Sequence, residues 1–141
     1  MKVRQLRLQG SLAAAAALAM LLITSCPAED LSRYDGAQLY QRFCASCHGI
    51  QGFGDGPVAS SIKSMLPDLT RIAKRHGGAF PAAQLRRIID GRDVQPAHGT
   101  REMPVWGYEF RRALASDSSG SQSADELIGR LVDYLRSIQS Q

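Results

Sequence analysis

Two thiols and an imidazole stand together in the run Cys44-Ala45-Ser46-Cys47-His48. Thiols at this spacing can each add across one vinyl group of a porphyrin, and the adjoining histidine is then held beneath the iron as an axial ligand. The run therefore reads as an attachment site for a c-type haem. Paired cysteines serve two other chemistries. A redox dithiol is expected beside a βαβ pattern, and no strand-like alternation surrounds this pair. A structural zinc site needs four ligands, commonly with a second spaced pair, whereas His76 and His98 stand apart from each other.

With His48 on one side of a metal, the other side needs a ligand. Beyond residue 25 the chain has two methionines, Met65 and Met103. Met103 precedes Pro104, which lacks an N–H and fixes the local backbone, and it is the expected distal ligand. Met65 falls in an apolar helical stretch, 58–66, where a methionine is expected to serve packing. Ligation by His98 or His76, or an open distal position, are the alternatives. The consequences differ: a thioether is soft and neutral, favours reduced iron and keeps substrates away, whereas an open site permits ligand binding and catalysis.

The elements that must hold these groups read as helices. Asp35 and Gln38 make a capping box for a first helix over 35–46, with Leu39, Tyr40, Phe43 and Cys47 on one face. Gly49 to Pro57 carries four glycines in eight residues, so it reads as a loop folding over one edge of the ring. Asp68 or Thr70 caps a short helix ending near Arg75, with Gly77 as its left-handed stop. Pro81 suits the first turn of a helix that turns Leu85, Ile88 and Ile89 inward and closes at Gly91. After a loop over 92–101, a helix is expected over 105–115, then a Ser/Gly-rich loop. The last helix starts at the Ser123/Glu126 capping box and carries the stripe Leu127, Ile128, Leu131, Val132, Leu135 and Ile138. At most six helical stretches, no strand and no repeat predict an all-α domain.

The start of the chain reads differently. Lys2, Arg4 and Arg7 precede twelve small or aliphatic residues, Leu12 to Ile23. That length suits a signal peptide and falls short of the roughly 20 residues that span a bilayer. Ile23-Thr24-Ser25-Cys26 resembles a bacterial lipobox, which makes 1–25 the leader, Cys26 the lipidated residue and 26–33 a tether; an ordinary cut after Ala28 is the alternative. Without 1–25, 14 basic residues face 13 acidic ones. A near-neutral domain over 34–141 gives no support to nucleic-acid binding or a polybasic membrane patch. Four Phe and one Trp make a modest core, and a buried macrocycle would add to it.

From about Tyr34 to Gln139 the chain resembles a monohaem class I c-type cytochrome. The resemblance is carried by Gly36, Tyr40, Cys44, Cys47, His48, Gly49, Met103-Pro104, Leu131 and Tyr134. It implies a fold in which the first and last helices cross, with Gly36 and Tyr40 packed against Leu131 and Tyr134 and one covalent haem c enclosed. Met103-Pro104-Val105-Trp106-Gly107 is similar to the distal-ligand loop of many bacterial members. Trp106 then packs on the haem or donates to a propionate, or it is a core tryptophan. Pro67-Asp68-Leu69 matches a stretch whose proline carbonyl accepts from the proximal histidine, with Pro57 as the other carrier.

The function so implied is one-electron transfer through the haem edge near Cys47, without bond chemistry of its own. The expected donor is a quinol-oxidising complex or a periplasmic dehydrogenase, and the expected acceptor a terminal oxidase. The chain would act as a shuttle or as a haem subunit at the periplasmic face of a bacterial membrane, anchored by lipid or else free in the periplasm. The rival reading is a haem enzyme, or a gas or redox sensor, with a displaceable distal ligand.

Overall fold

The computed structural model describes residues 30–93, 103–115 and 123–140. The expected leader, Cys26, His98, Arg101 and the loop over 116–122 lie outside the described residues. Among the described residues there are six α-helices, three short 3-10 turns and no strand, so the fold is all-α. The helices are α1 (Gly36–Phe43), α2 (Ala45–His48), α3 (Ile72–Arg75), α4 (Ala82–Asp90), α5 (Trp106–Ala115) and α6 (Ala124–Ser137).

Local chemistry sets both long-range partners in place. At the head of α1, Asp35 accepts from the Gln38 N–H at 2.8 Å and the Gln38 side chain accepts from the Asp35 N–H at 2.9 Å. Ser123 and Glu126 make the same reciprocal pair at the head of α6. Each pair satisfies donors that a helix start leaves open. α1 and α6 then cross, burying Leu39 and Tyr40 among Leu127, Ile128, Leu131, Val132 and Leu135. The rings of Tyr40 and Tyr134 lie 5.0 Å apart across the crossing. Ile89 of α4 and Phe110 of α5 complete this core.

Three local expectations are corrected. The helix expected over 35–46 is two helices, offset at Cys44 (φ −118°, ψ −34°). The Cys44 carbonyl accepts from the N–H groups of both Cys47 and His48, at 3.1 and 2.9 Å, and this tightened turn sets α2 apart from α1. Pro81 stands just before α4 and not in its first turn, while Gly91 closes that helix in the left-handed region as expected. Met65 is not a packing residue: it is 92% exposed, in a segment without helix. Only the 3-10 turn Ala59–Ser61 remains of the helical stretch expected there.

Candidate functional site

Cys44 stands at the N-cap of α2, Cys47 lies within it, and His48 ends it. Both thiols are free and half-buried. Burial pushes the Cys44 thiol up to about 12, with the neighbouring Cys47 adding to the shift, so Cys44 is a protonated thiol at neutral pH. α2 stops because its last carbonyls are taken by the glycine-rich loop instead of by a further turn. The N–H groups of Val58, Gly56 and Gly54 donate to the carbonyls of Ser46, Cys47 and His48 at 3.1, 3.1 and 2.8 Å. A Cβ on Gly56 would run into the Ser46 and Cys47 carbonyls, which is why glycine stands there. From the other side, the buried Tyr40 hydroxyl donates to the Gly49 carbonyl at 2.7 Å. Its own deprotonation is pushed up by burial first, then by Cys44, Tyr134 and Asp55.

The His48 ring has two distinct sides. Nδ1 is buried and has no hydrogen bond of adequate geometry. The Pro67 carbonyl still acts on the ring, raising its pKa against the larger downward effect of burial. With Nδ1 buried and unbonded, Nε2 is the nitrogen left to take a metal. Pro57 is exposed in the glycine-rich loop.

A second apolar wall comes from the start of α5. Phe43, the last residue of α1, lies 5.4 Å from the ring of Trp106 and 5.4 Å from that of Phe110, and those two rings are 5.8 Å apart. This aromatic group sets the Met103–Val105 segment beside the helix that leads into Cys44. Met103, Trp106, Phe43, Cys44 and Leu69 all pack on the core while remaining half-buried. Trp106 packs on Phe43 and Phe110 in that wall.

These residues fit a covalently held porphyrin. Free paired thiols, a histidine with a buried Nδ1, and an apolar wall bearing a thioether are the donor set and the surface that such a group needs. Cys44 and Cys47 would hold it, and His48 and Met103 would face its iron. Among the described residues no group of three or more His, Cys, Asp or Glu could hold a metal ion, so the zinc reading finds no further ligands there. His76 is exposed at the end of α3, and its Nδ1 lies 2.9 Å from the Ile72 carbonyl.

Two features carried no sequence signal. Asp90, at the end of α4, is buried: its carboxylate pairs with the Arg92 Nε and, at 3.0 Å, with an Arg111 nitrogen, and it lies against Gly107 in the first turn of α5. A carboxylate at a helix end is ordinarily solvated, so nothing in the spacing marks it. Arg92 also lies 3.7 Å from Asp125. The second feature is Gln139, which follows α6 and bonds to the backbone around α3.

A family model for cytochrome c matches residues 34–139. No curated protein and no solved structure matches the chain.

Proposed function

This chain belongs to the cytochrome c family, and we propose that it is an exported one-electron carrier holding one haem c, with His48 and Met103 as axial ligands. The family gives covalent haem and electron transfer in general; the ligand pair, the single haem and the cellular setting are our reading. A bound haem c would supply a ferric/ferrous couple held in place by two thioether bonds.

The residues around it have separable tasks. Cys44 and Cys47 fix position, and α2 aims His48 because its carbonyls are held by the glycine-rich loop. With a haem bound, the Met103 sulfur would keep water and substrates from the metal, which would favour electron transfer over bond chemistry. The observation that supports this assignment is the 5.4 Å contact between Phe43 and Trp106, which holds the segment carrying Met103 beside the helix leading into Cys44.

Exposed Ile50, Phe53, Val58 and Met65 follow the attachment run and offer apolar contact beside Cys47 for a redox partner. The donor we propose is a quinol-oxidising complex or a periplasmic dehydrogenase, and the acceptor a terminal oxidase. The setting we propose is the periplasmic face of a bacterial membrane, with Cys26 lipidated and 26–33 as tether. No helix among the described residues is long and apolar enough to cross a membrane.

Optical spectroscopy of the purified protein tests the ligand pair. The ferric protein should show a weak far-red sulfur-to-iron band that Met103→Ala abolishes, and the ferrous protein should bind carbon monoxide only after that replacement. Carbon monoxide binding by the unaltered ferrous protein at neutral pH would favour the enzyme or sensor reading.

A further inference from the structure

The folded domain begins close to the expected anchor. Asp30 opens the 3-10 turn Leu31–Arg33, accepting from the Ser32 N–H at 3.0 Å and from the Arg33 Nε at 2.9 Å. Leu31 is buried in the core. From α6, the Arg130 guanidinium donates to the Ser32 and Tyr34 carbonyls at 3.0 and 2.9 Å. Residues 30–34 are thus part of the fold, and only residues 27–29 separate Asp30 from Cys26. Fully extended, four residue steps span at most about 14 Å. A headgroup layer is about 5–7 Å deep. A lipid on Cys26 therefore keeps the surface around Asp30 within about two such layers of the hydrocarbon.

An open groove of about 570 Å³ lies at that surface, between the start of α1 and the middle of α6. Sites that hold small molecules run from about 300 to 1,000 Å³. Arg33 and Arg130 line the groove together with Asp35 and Asp133, so its charges balance. The Arg33 side chain is 84% exposed and that of Asp133 66%. Tyr34 and Tyr134 complete the lining, and tyrosine rings favour the headgroup level of a bilayer. Guanidinium groups suit a phosphate, and carboxylates suit an ammonium. Such a lining matches a zwitterionic headgroup; an anionic lipid surface calls for an excess of Lys and Arg.

We propose that this groove is the membrane-contact surface of the chain, taking the headgroup of a zwitterionic phospholipid in the leaflet that anchors Cys26. The proposal rests on Cys26 being lipidated. The domain then stands on the bilayer by the α1/α6 crossing. Eight residues of α1 make about 12 Å, so Cys44 lies no farther than that along the helix from Gly36, which lines the groove. The haem site is held near the membrane surface, where a membrane-embedded redox partner reaches it.

The experiment places the haem-loaded, lipidated chain in nanodiscs of phosphatidylethanolamine and phosphatidylcholine, with and without a lipid spin-labelled at its headgroup. Nuclear magnetic resonance reads the broadening of each backbone amide that the label causes. Broadening should concentrate at 32–37 and 130–134 and spare the exposed Ile50 and Phe53. Arg33→Glu should lose that concentration while the lipid and the haem spectrum persist, and Asp133→Lys, the reciprocal change, should do the same. Equal broadening at Ile50 and Phe53, or a pattern that both variants leave unaltered, overturns the groove assignment in a chain that mass spectrometry shows to be lipidated. A mature chain without lipid on Cys26 defeats the anchor reading first, and the groove proposal with it.

Discussion

Gly36 of α1 lies directly on the backbone of Arg130 in α6. A Cβ at position 36 would meet the Arg130 carbonyl, and would stand 2.9 Å from the Tyr134 Cβ. The Arg130 guanidinium reinforces the junction by donating to the carbonyls of Ser32 and Tyr34 at 3.0 and 2.9 Å. The crossing thus depends on a missing side chain and is sealed by a long one. It bears on the site because Tyr40, one turn on from Gly36, reaches across to the Gly49 carbonyl beside His48.

Gly36→Ala should therefore force α1 and α6 apart. The neighbours are backbone atoms and cannot rotate away, so the cost lies at the upper end of overpacking, about 3 kcal/mol. For a domain of this size that lowers the melting temperature by roughly 10–15 °C. Thermal unfolding followed by circular dichroism checks it, and an unaltered melting temperature would contradict the close crossing.

Some of this was legible before any coordinates. Asp35 with Gln38 and Ser123 with Glu126 announced their helices because a capping box is a bond between residues three apart. The α6 stripe was equally legible, since a helical period records which face is buried. The site's chemistry came from the spacing of Cys44, Cys47 and His48. What failed to show depends on distant partners. Met65 sits in a stretch apolar enough to read as packing, yet it is 92% exposed because no partner element among the described residues covers it. The offset at Cys44 reflects a shared carbonyl, and the burial of Asp90 reflects two arginines and a helix start from elsewhere in the chain.

Asp90 gives the second prediction. Its side chain is 4% exposed, while its partners Arg92 and Arg111 are largely solvated. Removing the carboxylate returns both guanidinium groups to water, so Asp90→Ala should cost about 2 kcal/mol, the range of charge-assisted hydrogen bonds. The loss should also reach the metal, since the same carboxylate braces Gly107 and Met103 lies just before that turn. Expected are a lower melting temperature and a weakened far-red band with partial carbon monoxide reactivity. A full-strength band in the folded variant would mean that α5 holds Met103 without Asp90.

Acid should weaken the turn that Asp68 caps. One Asp68 carboxylate oxygen accepts from the Thr70 hydroxyl at 2.6 Å and from the Thr70 N–H at 2.9 Å. The hydroxyl bond is the largest cause holding this carboxyl below its ordinary 3.8; the Thr70 N–H, Arg71 and Arg75 act in the same direction. A depressed folded-state pKa means that the stabilisation is present above 3.8 and is lost as pH falls through the lower folded value. Asp68→Ala should remove about 1 kcal/mol at neutral pH, as for other caps. The variant and the unaltered protein should then converge in melting temperature below pH 3.8. Parallel curves across that range would show that the Thr70 bonds contribute nothing.

The membrane link is decided at Cys26. Lys2, Arg4 and Arg7, the apolar run Leu12 to Ile23 and the sequence Ile23-Thr24-Ser25-Cys26 make the cysteine the expected first residue of the mature chain. Acyl chains add about 0.8 kcal/mol of membrane affinity per buried methylene, and more than one chain is needed for stable anchoring. A multiply acylated Cys26 should hold the protein in the membrane fraction through salt and alkaline washes and release it only into detergent. Cys26→Ser should leave that fraction without its mature protein, while His48 and its surroundings are untouched in any chain that folds. Intact-mass spectrometry of the mature protein gives the direct answer: a chain beginning at Cys26 and carrying lipid is expected, and one beginning at residue 27 or later without lipid rules out the anchor.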